Sequence, residues 1–451
     1  MAKYKRYERY KDSGVEWIGD IPDDWKVVDF RRCTSLSQGL QIPQEQRFHE
    51  GGKNRYLYLT IKYINSEKND IDKEFIENPN KNVICEKDDV LLARTGATGV
   101  VITDVEGVYH NNFFKIKYDR NKLKKKYLVY YLSQSGIQGH FKLVAGTTTI
   151  PDLNHGEFLS TKVIIPTIDI QNNIVSFLDQ KTSEIDALIA DKEKLITLLE
   201  EKRRAIITEA VTKGLNPDVK MKDSGVEWIG EIPEHWNISS VRNLIRKDFI
   251  EVQDGNHGEL HPTSNDYVDE GIPFVMASDI RNGKIDLKSC KYISKDTKEK
   301  LRIGFSIRND VLLTHKGTIG EVGINDIDTE CVVLTPQVTY YRIKVNEVIS
   351  NYFLCYYFQS DCIQNQLKYI SSMQSTRQYI GIVAQRELII TLPNIEEQIT
   401  IVDYLKNKVG LLEEVIKLEK LQIEKFKEYR QSLISEAVTG KIDVRDYCKE
   451  A

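Results

Sequence analysis

The stretch Lys11-Asp-Ser-Gly-Val-Glu-Trp-Ile-Gly-Asp-Ile-Pro-Asp-Asp-Trp25 returns almost letter for letter as Lys222-Asp-Ser-Gly-Val-Glu-Trp-Ile-Gly-Glu-Ile-Pro-Glu-His-Trp236, an offset of 211 residues. A repeat of this length makes the 451-residue chain two tandem copies of one unit, a globular part followed by a long helix. Working outward, Asp89-Val-Leu-Leu-Ala-Arg-Thr-Gly-Ala-Thr-Gly99 matches Asp310-Val-Leu-Leu-Thr-His-Lys-Gly-Thr-Ile-Gly320 at an offset of 221. Ile165-Pro-Thr-Ile-Asp-Ile-Gln171 matches Leu392-Pro-Asn-Ile-Glu-Glu-Gln398 at 227, and Glu209-Ala-Val-Thr212 matches Glu436-Ala-Val-Thr439, again at 227. The offset grows through the globular part and then stops growing. A segment held at constant length behaves as a rigid spacer, whereas one that drifts on a fixed frame behaves as a variable surface.

The constant segment reads as a helix. Pro166 halts the strand-like Val163-Ile164-Ile165, Thr167 is placed to cap, and Asn394 with Glu397 forms a capping box in the second copy. Spacings alternating between four and three put Ile174, Leu178, Ile185, Leu188, Leu195, Leu199 and Ile206 on one seam, with Ile401, Leu405, Leu412, Val415, Phe426, Tyr429 and Leu433 on its counterpart. Forty-odd residues at about 1.5 Å each give rods of roughly 60 Å. Two such rods separated by a globular part are expected to pair as an antiparallel coiled coil with pseudo-twofold symmetry. Leu198, Ile416 and Leu421 fall off the strict seam and either complete that packing or leave a face for another protein.

The globular parts read as mixed α and β. Tyr56 to Tyr63, Val90 to Ala93, Val100 to Thr103 and Phe113 to Tyr118 have strand character, while Lys125 to Ser133 and Ile349 to Ser360 read as amphipathic helices. The fold class is therefore α+β. The expected divisions are 1–166, a helix over 167–212, a second globular part over 213–393, a helix over 394–440 and a tail over 441–451.

Composition narrows the function classes. At 41% apolar and 29% charged the chain is an ordinary globular one. It has no apolar run long enough to span a bilayer, so a cytoplasmic location is expected. Seven cysteines without a C-x-x-C pair support neither a disulfide framework nor a common zinc site. Net charge is −4, and only residues 1–166 lean basic, with 26 Lys+Arg against 22 Asp+Glu. Charge by itself is weak support for nucleic-acid binding.

Catalytic signatures are missing. There is no Asn/Asp-Pro-Pro-Tyr/Phe methyltransferase motor, no phosphate-binding P-loop and no dinucleotide fingerprint. His257-Gly-Glu-Leu-His261 places its Glu wrongly for a zinc helix, and Gly258 and Pro262 oppose one. Binding is the better expectation, with no metal and no cofactor held by this chain.

Two pairs of loops are the candidate contact surfaces. The Gly-rich hairpins Arg94 to Gly99 and His315 to Gly320 offer Arg94, Thr95, Thr98, His315, Lys316 and Thr318, and their glycines allow close approach to a phosphate or groove. Gly146 to Asp152 and Met373 to Tyr379 offer Thr147, Thr148, Thr149, Ser375, Thr376 and Arg377, side chains able to reach base edges or phosphates. A plain solvated turn accounts for either surface equally well. Lys122 to Lys126 adds a basic run.

The opening Ser-Gly-Val-Glu-Trp-Ile-Gly-x-Ile-Pro-x-x-Trp of each half, the Asp-Val-Leu-Leu hairpin, and a helix running from Pro-x-Ile-x-x-Gln to Glu-Ala-Val-Thr resemble the specificity subunit of Type I restriction-modification systems. The resemblance covers nearly the whole chain. It implies that each globular part is a target recognition domain reading half of a bipartite, asymmetric DNA site, with the helices fixing the spacer. It also implies a non-catalytic chain that assembles with methyltransferase subunits using S-adenosylmethionine and with motor-nuclease subunits using ATP. The rival from another class is a coiled-coil adaptor whose globular parts bind proteins.

Overall fold

A computed structural model describes residues 4–65, 73–146, 151–258, 261–372 and 379–447. The chain divides into two compact units, and neither is one sequence copy. The first takes residues 1–192 together with 421–451, and the second takes residues 193–420. Each unit therefore holds one globular part, part of the helix that follows it in sequence and part of the other copy's helix.

In the first unit, Thr34–Gln38 (β1), Val90–Ala93 (β2), Val101–Ile102 (β3) and Phe113–Tyr118 (β4) form a sheet in the order β1-β4-β2-β3, antiparallel throughout. Lys125–Ser133 (α1) and Ser135–Val144 (α2) follow, and then the long helix Ile168–Lys213 (α3). The second unit repeats this plan. Ile250–Asp254 (β5), Val311–Thr314 (β8), Val322–Ile324 (β9) and Val338–Ile343 (β10) pair in the order β5-β10-β8-β9, and Ile280–Arg281 (β6) with Lys284–Ile285 (β7) forms a small added hairpin. Asn351–Gln359 (α4), Asp361–Ser372 (α5) and the long helix Ile395–Val438 (α6) complete it. A further sheet in each unit contains one parallel pair, Arg55–Leu59 with Gly107–Tyr109 and Ile272–Val275 with Val332–Leu334. The strand expected over Tyr56 to Tyr63 ends at Leu59 and turns into the helix Ile61–Asn65.

The repeated motifs are joints. Asp12 accepts from the Gly14 amide and Asp223 from the Gly225 amide, so each opening motif folds into a hairpin through a glycine at positive φ. The hairpin drives Trp25 and Trp236 into the cores with no exposed surface. In the Asp-Val-Leu-Leu motif, Asp89 accepts from the Glu86 amide and pairs with Lys115 at 3.2 Å. Asp310 likewise accepts from the Ile307 amide and pairs with Arg342 at 2.8 Å. Gln171 and Gln398, both fully buried, explain the Pro-x-Ile-x-x-Gln motif. Gln171 gives its amide to the Lys122 and Pro166 carbonyls and accepts from Lys124, and Gln398 gives to Val348 and Pro393 and accepts from Ser350. Each glutamine thus ties the start of a long helix to the chain entering α1 or α4.

The helix seam differs from the heptad expected. Leu188 and Leu195 are 46% and 40% exposed, while Ile196 is 9% exposed and Ile189 packs against the core of the first unit. Along α3 the inward positions run Ile174, Leu178, Thr182, Ile185, Ile189, Ile196, Arg203 and Ile207. Along α6 they run Ile401, Leu405, Val409, Leu412, Ile416, Ile423, Arg430 and Ile434, each displaced by 227. Thr182, Ile189, Ile196 and Arg203 recur every seven residues, so a heptad is kept, but this seam position lies one residue later than the expected 188 and 195 while Leu178 and Ile185 hold theirs. In the second unit Arg203 lies 3.4 Å from Glu413 and Lys420 lies 3.6 Å from Glu200, a pairing that rises on one helix as it falls on the other and fixes an antiparallel direction. Arg430 and Asp186 make the equivalent contact in the first unit at 2.9 Å. Of the three residues off the expected seam, Ile416 is buried, whereas Leu198 and Leu421 are 51% and 56% exposed.

Among the described residues no helix is long and apolar enough to cross a membrane. Cys33, Cys85, Cys290, Cys331, Cys355 and Cys362 are all buried and unpaired.

Candidate nucleic-acid interface

The hairpin Arg94 to Gly99 joins β2 to β3, and His315 to Gly320 joins β8 to β9. The structure brings each of them against the second candidate loop of its own unit. Thr95 forms a bridge with Asp152, and Lys316 forms the equivalent bridge with Tyr379. Leu153 gives its amide to the Arg94 carbonyl, as Ile380 does to that of His315. Thr147, Thr148, Thr149, Ser375, Thr376 and Arg377 lie outside the described residues.

Each hairpin is held from below by a glutamine that the sequence reading missed. Gln138 on α2 gives its amide to the Gly99 and Leu132 carbonyls, and Gln364 on α5 gives to Gly320 and Phe358. A Cβ on Gly99 or Gly320 would lie 2.6 or 2.4 Å from that glutamine, and both glycines have positive φ. The last glycine of each loop is therefore structural. Among the described residues nothing lies within 4 Å of a Cβ on Gly317, and the nearest such atom to one on Gly96 is 3.7 Å away, so the loop tips are where close approach is available.

Strand alternation sorts the basic residues. Arg94 and His315 occupy the same repeat position, and both side chains turn inward. Arg94 makes a two-pronged ion pair with Asp152, at 2.8 and 2.5 Å, and lies over the Phe114 ring. His315, expected as a surface contact, is 1% exposed, with its Nε2 3.7 Å from Asp254 and its ring 5.4 Å from that of Tyr379. Burial pushes its pKa down, and the Asp254 carboxylate works against that shift. The hairpin amide of His315 is used by the Gln337 carbonyl, so the residue belongs to the wall and not to the outer face. The next position points outward, and there the copies carry Thr95 and Lys316. Lys316 and Thr318 are exposed, and Lys316 makes no ion pair among the described residues. Thr98 is half-buried and gives its hydroxyl to the Arg94 and Pro151 carbonyls.

The arrangement is a stiff loop with a polar outer edge, repeated with different side chains. No group of His, Cys, Asp and Glu among the described residues is placed to hold a metal ion. His257 leans on the Gly255 carbonyl and His261 on the Phe274 ring.

A model of the Type I restriction modification DNA specificity domain matches residues 22–198 and again 240–425. The chain belongs to this family. It is 26% identical over 435 residues to the Type I restriction enzyme MjaVIII specificity subunit of Methanocaldococcus jannaschii, across 94% of this chain and 95% of that one. It is 23% identical to the EcoBI specificity subunit of Escherichia coli, over 73% of this chain and 68% of the other. A solved chain from work on complex assembly and conformational transition of the type I R-M system shares the fold, with a TM-score of 0.64 at 15% identity, covering 93% of this chain and 98% of that one. The family's two matches fall on the two copies seen in the sequence, one per recognition domain.

Proposed function

We propose that this chain is the sequence-reading, non-catalytic subunit of a Type I restriction-modification complex, each unit contacting one half of a bipartite DNA site through its Gly-rich hairpin and the adjoining loop. The observation that carries the reading is the pair of hairpins, identical in backbone support and different in the side chains they present. A reader of two unlike half-sites needs that combination, because backbone support sets register while side chains set sequence. Phosphate contact falls to Lys316 and to the amides at the loop tips, while Thr95 and Thr318 face the bases and the adjoining loops carry the remaining candidates for base contact. The two long helices set the spacer and dock methyltransferase subunits, and S-adenosylmethionine and ATP act on the partner subunits.

Retention on cognate duplex of the chain assembled with its methyltransferase partner is the test. Affinity is expected to fall steeply with salt, and Lys316→Ala should reduce the slope of log affinity against log salt by about one. Binding that is indifferent to salt and to duplex sequence would favour the protein-binding adaptor instead.

A further inference from the structure

We propose that the cavity between the β6–β7 hairpin and the helices of the second unit binds a small phosphate-bearing anion. Two adjoining chambers of about 240 Å³ and about 640 Å³ share Arg203, Asn282, Lys284 and Glu413 in their walls. Pockets of some hundreds of Å³ are the usual size for small-molecule sites. The smaller chamber has an apolar and aromatic wall that includes Ile324, Tyr352, Tyr356 and Val409, with Asp326 and Lys406 also lining it. The larger chamber is ringed by cations, with Arg204, Arg281, Lys417 and Lys420 joining Arg203 and Lys284 against only Glu200, Glu321 and Glu413.

Two of those carboxylates are already engaged, Glu200 with Lys420 and Glu413 with Arg203. Arg204, Arg281, Lys284 and Lys417 make no ion pair among the described residues. Arg203 lies between the two chambers. Only 9% of the residue is exposed, its Nη2 reaches Gln359 at 2.6 Å, and its Nε is buried with no acceptor among the described residues. Arg203 borders both chambers, so its charge would favour an anionic oxygen there beyond the acceptors that Gln359 and Glu413 supply. The repeat-related Arg430 has its Nε buried in the same way, 2.9 Å from Asp186, although its side chain is 36% exposed against 11% for Arg203.

The hairpin that closes the cavity is firmly built. Asn282 and Gly283 both have positive φ at its turn, the Gly283 amide is given to Val322, and Ile324 gives its amide to Gly283. It lies in the stretch between Trp236 and Asp310, where the second copy carries ten more residues than the first. The cavity is thus built with a feature of one recognition domain. An anion there would tie Arg281 and Lys284 on the hairpin to Arg203, Arg204 and Lys417 on the helices. This inference is independent of the DNA-contact reading, and it places a ligand on a chain whose sequence suggested none.

The test is calorimetric titration of the full-length chain with ATP and, separately, with tripolyphosphate, repeated on the Arg281→Ala/Lys284→Ala double variant. Saturable binding of at least one probe is expected, weakened at least roughly tenfold in the variant with unchanged circular dichroism. Tighter binding of ATP would assign the aromatic chamber to a base, and equal binding would assign the site to inorganic polyphosphate. The proposal is overturned if neither probe binds saturably, if the double variant binds as the parent does, or if non-specific duplex DNA displaces the probe. The last result would make these cations part of the DNA surface.

Discussion

Arg94 and His315 show how much one position can hide. In sequence they are the basic residues of two Gly-rich loops, and both were expected to face DNA. In the structure they are the inward members of alternating pairs, one locked to Asp152 and the other buried beside Asp254. The turn itself was legible from its glycines, whereas the direction of each side chain depends on which strands the loop joins and which segment bridges it. The burial of His315 has a consequence for pH. Its folded pKa lies below the ordinary 6.5, so the unfolded chain takes up a proton first. The stability it contributes is complete above pH 6.5 and is lost as pH falls through that value toward the folded pKa. The urea midpoint should therefore drop between pH about 7.5 and about 5.5, and His315→Gln should lose less over that window than the parent. His110 and His140, also depressed by burial, keep the variant from being flat. Equal losses in parent and variant would refute the assignment.

At the scale of elements, the long helices were readable because their caps, their constant length and their apolar stripe agree. Their facing register was not. The expected heptad places Leu188 and Leu195 inside, but the packed stripe takes the position one residue later and brings Ile189 and Ile196 there instead. The choice rests on the packing of two helices, which a single-helix pattern does not contain. Ile196→Ala is expected to cost about 2–4 kcal/mol, as a core truncation does. Leu195→Ala should cost under about 1 kcal/mol, as expected of a surface residue. Chemical denaturation of the two variants decides the register, and the reverse order of costs would restore the expected one. Gln171, Gln398, Gln138 and Gln364 stood in plain view as repeated letters, yet their work is to satisfy carbonyls on other elements, and nothing local in the sequence announces that.

For the whole molecule, the repeat in the sequence is not the repeat in space. Each unit borrows part of a helix from the other copy, so the two copies cannot be separated without breaking both cores. Tyr10 gives its hydroxyl to the Gly440 carbonyl, and Tyr127 gives its own to Val438, which ties the beginning of the chain to its end within the first unit. If the helices act as the ruler, inserting four residues near the middle of α3, about one turn, should lengthen the spacer of the recognised site and leave both half-sites unaltered. A spacer that stays the same would remove the ruler from the account.

The central claim is that two differently dressed hairpins read two half-sites, and adenine methylation mapping tests it most directly. Cells carrying this gene with its methyltransferase partner should show one bipartite motif, and Lys316→Ala/Thr318→Ala should relax or abolish recognition of one half while the other half is kept. A methylome unchanged by removal of this chain, or a double variant that alters both halves alike, would contradict it.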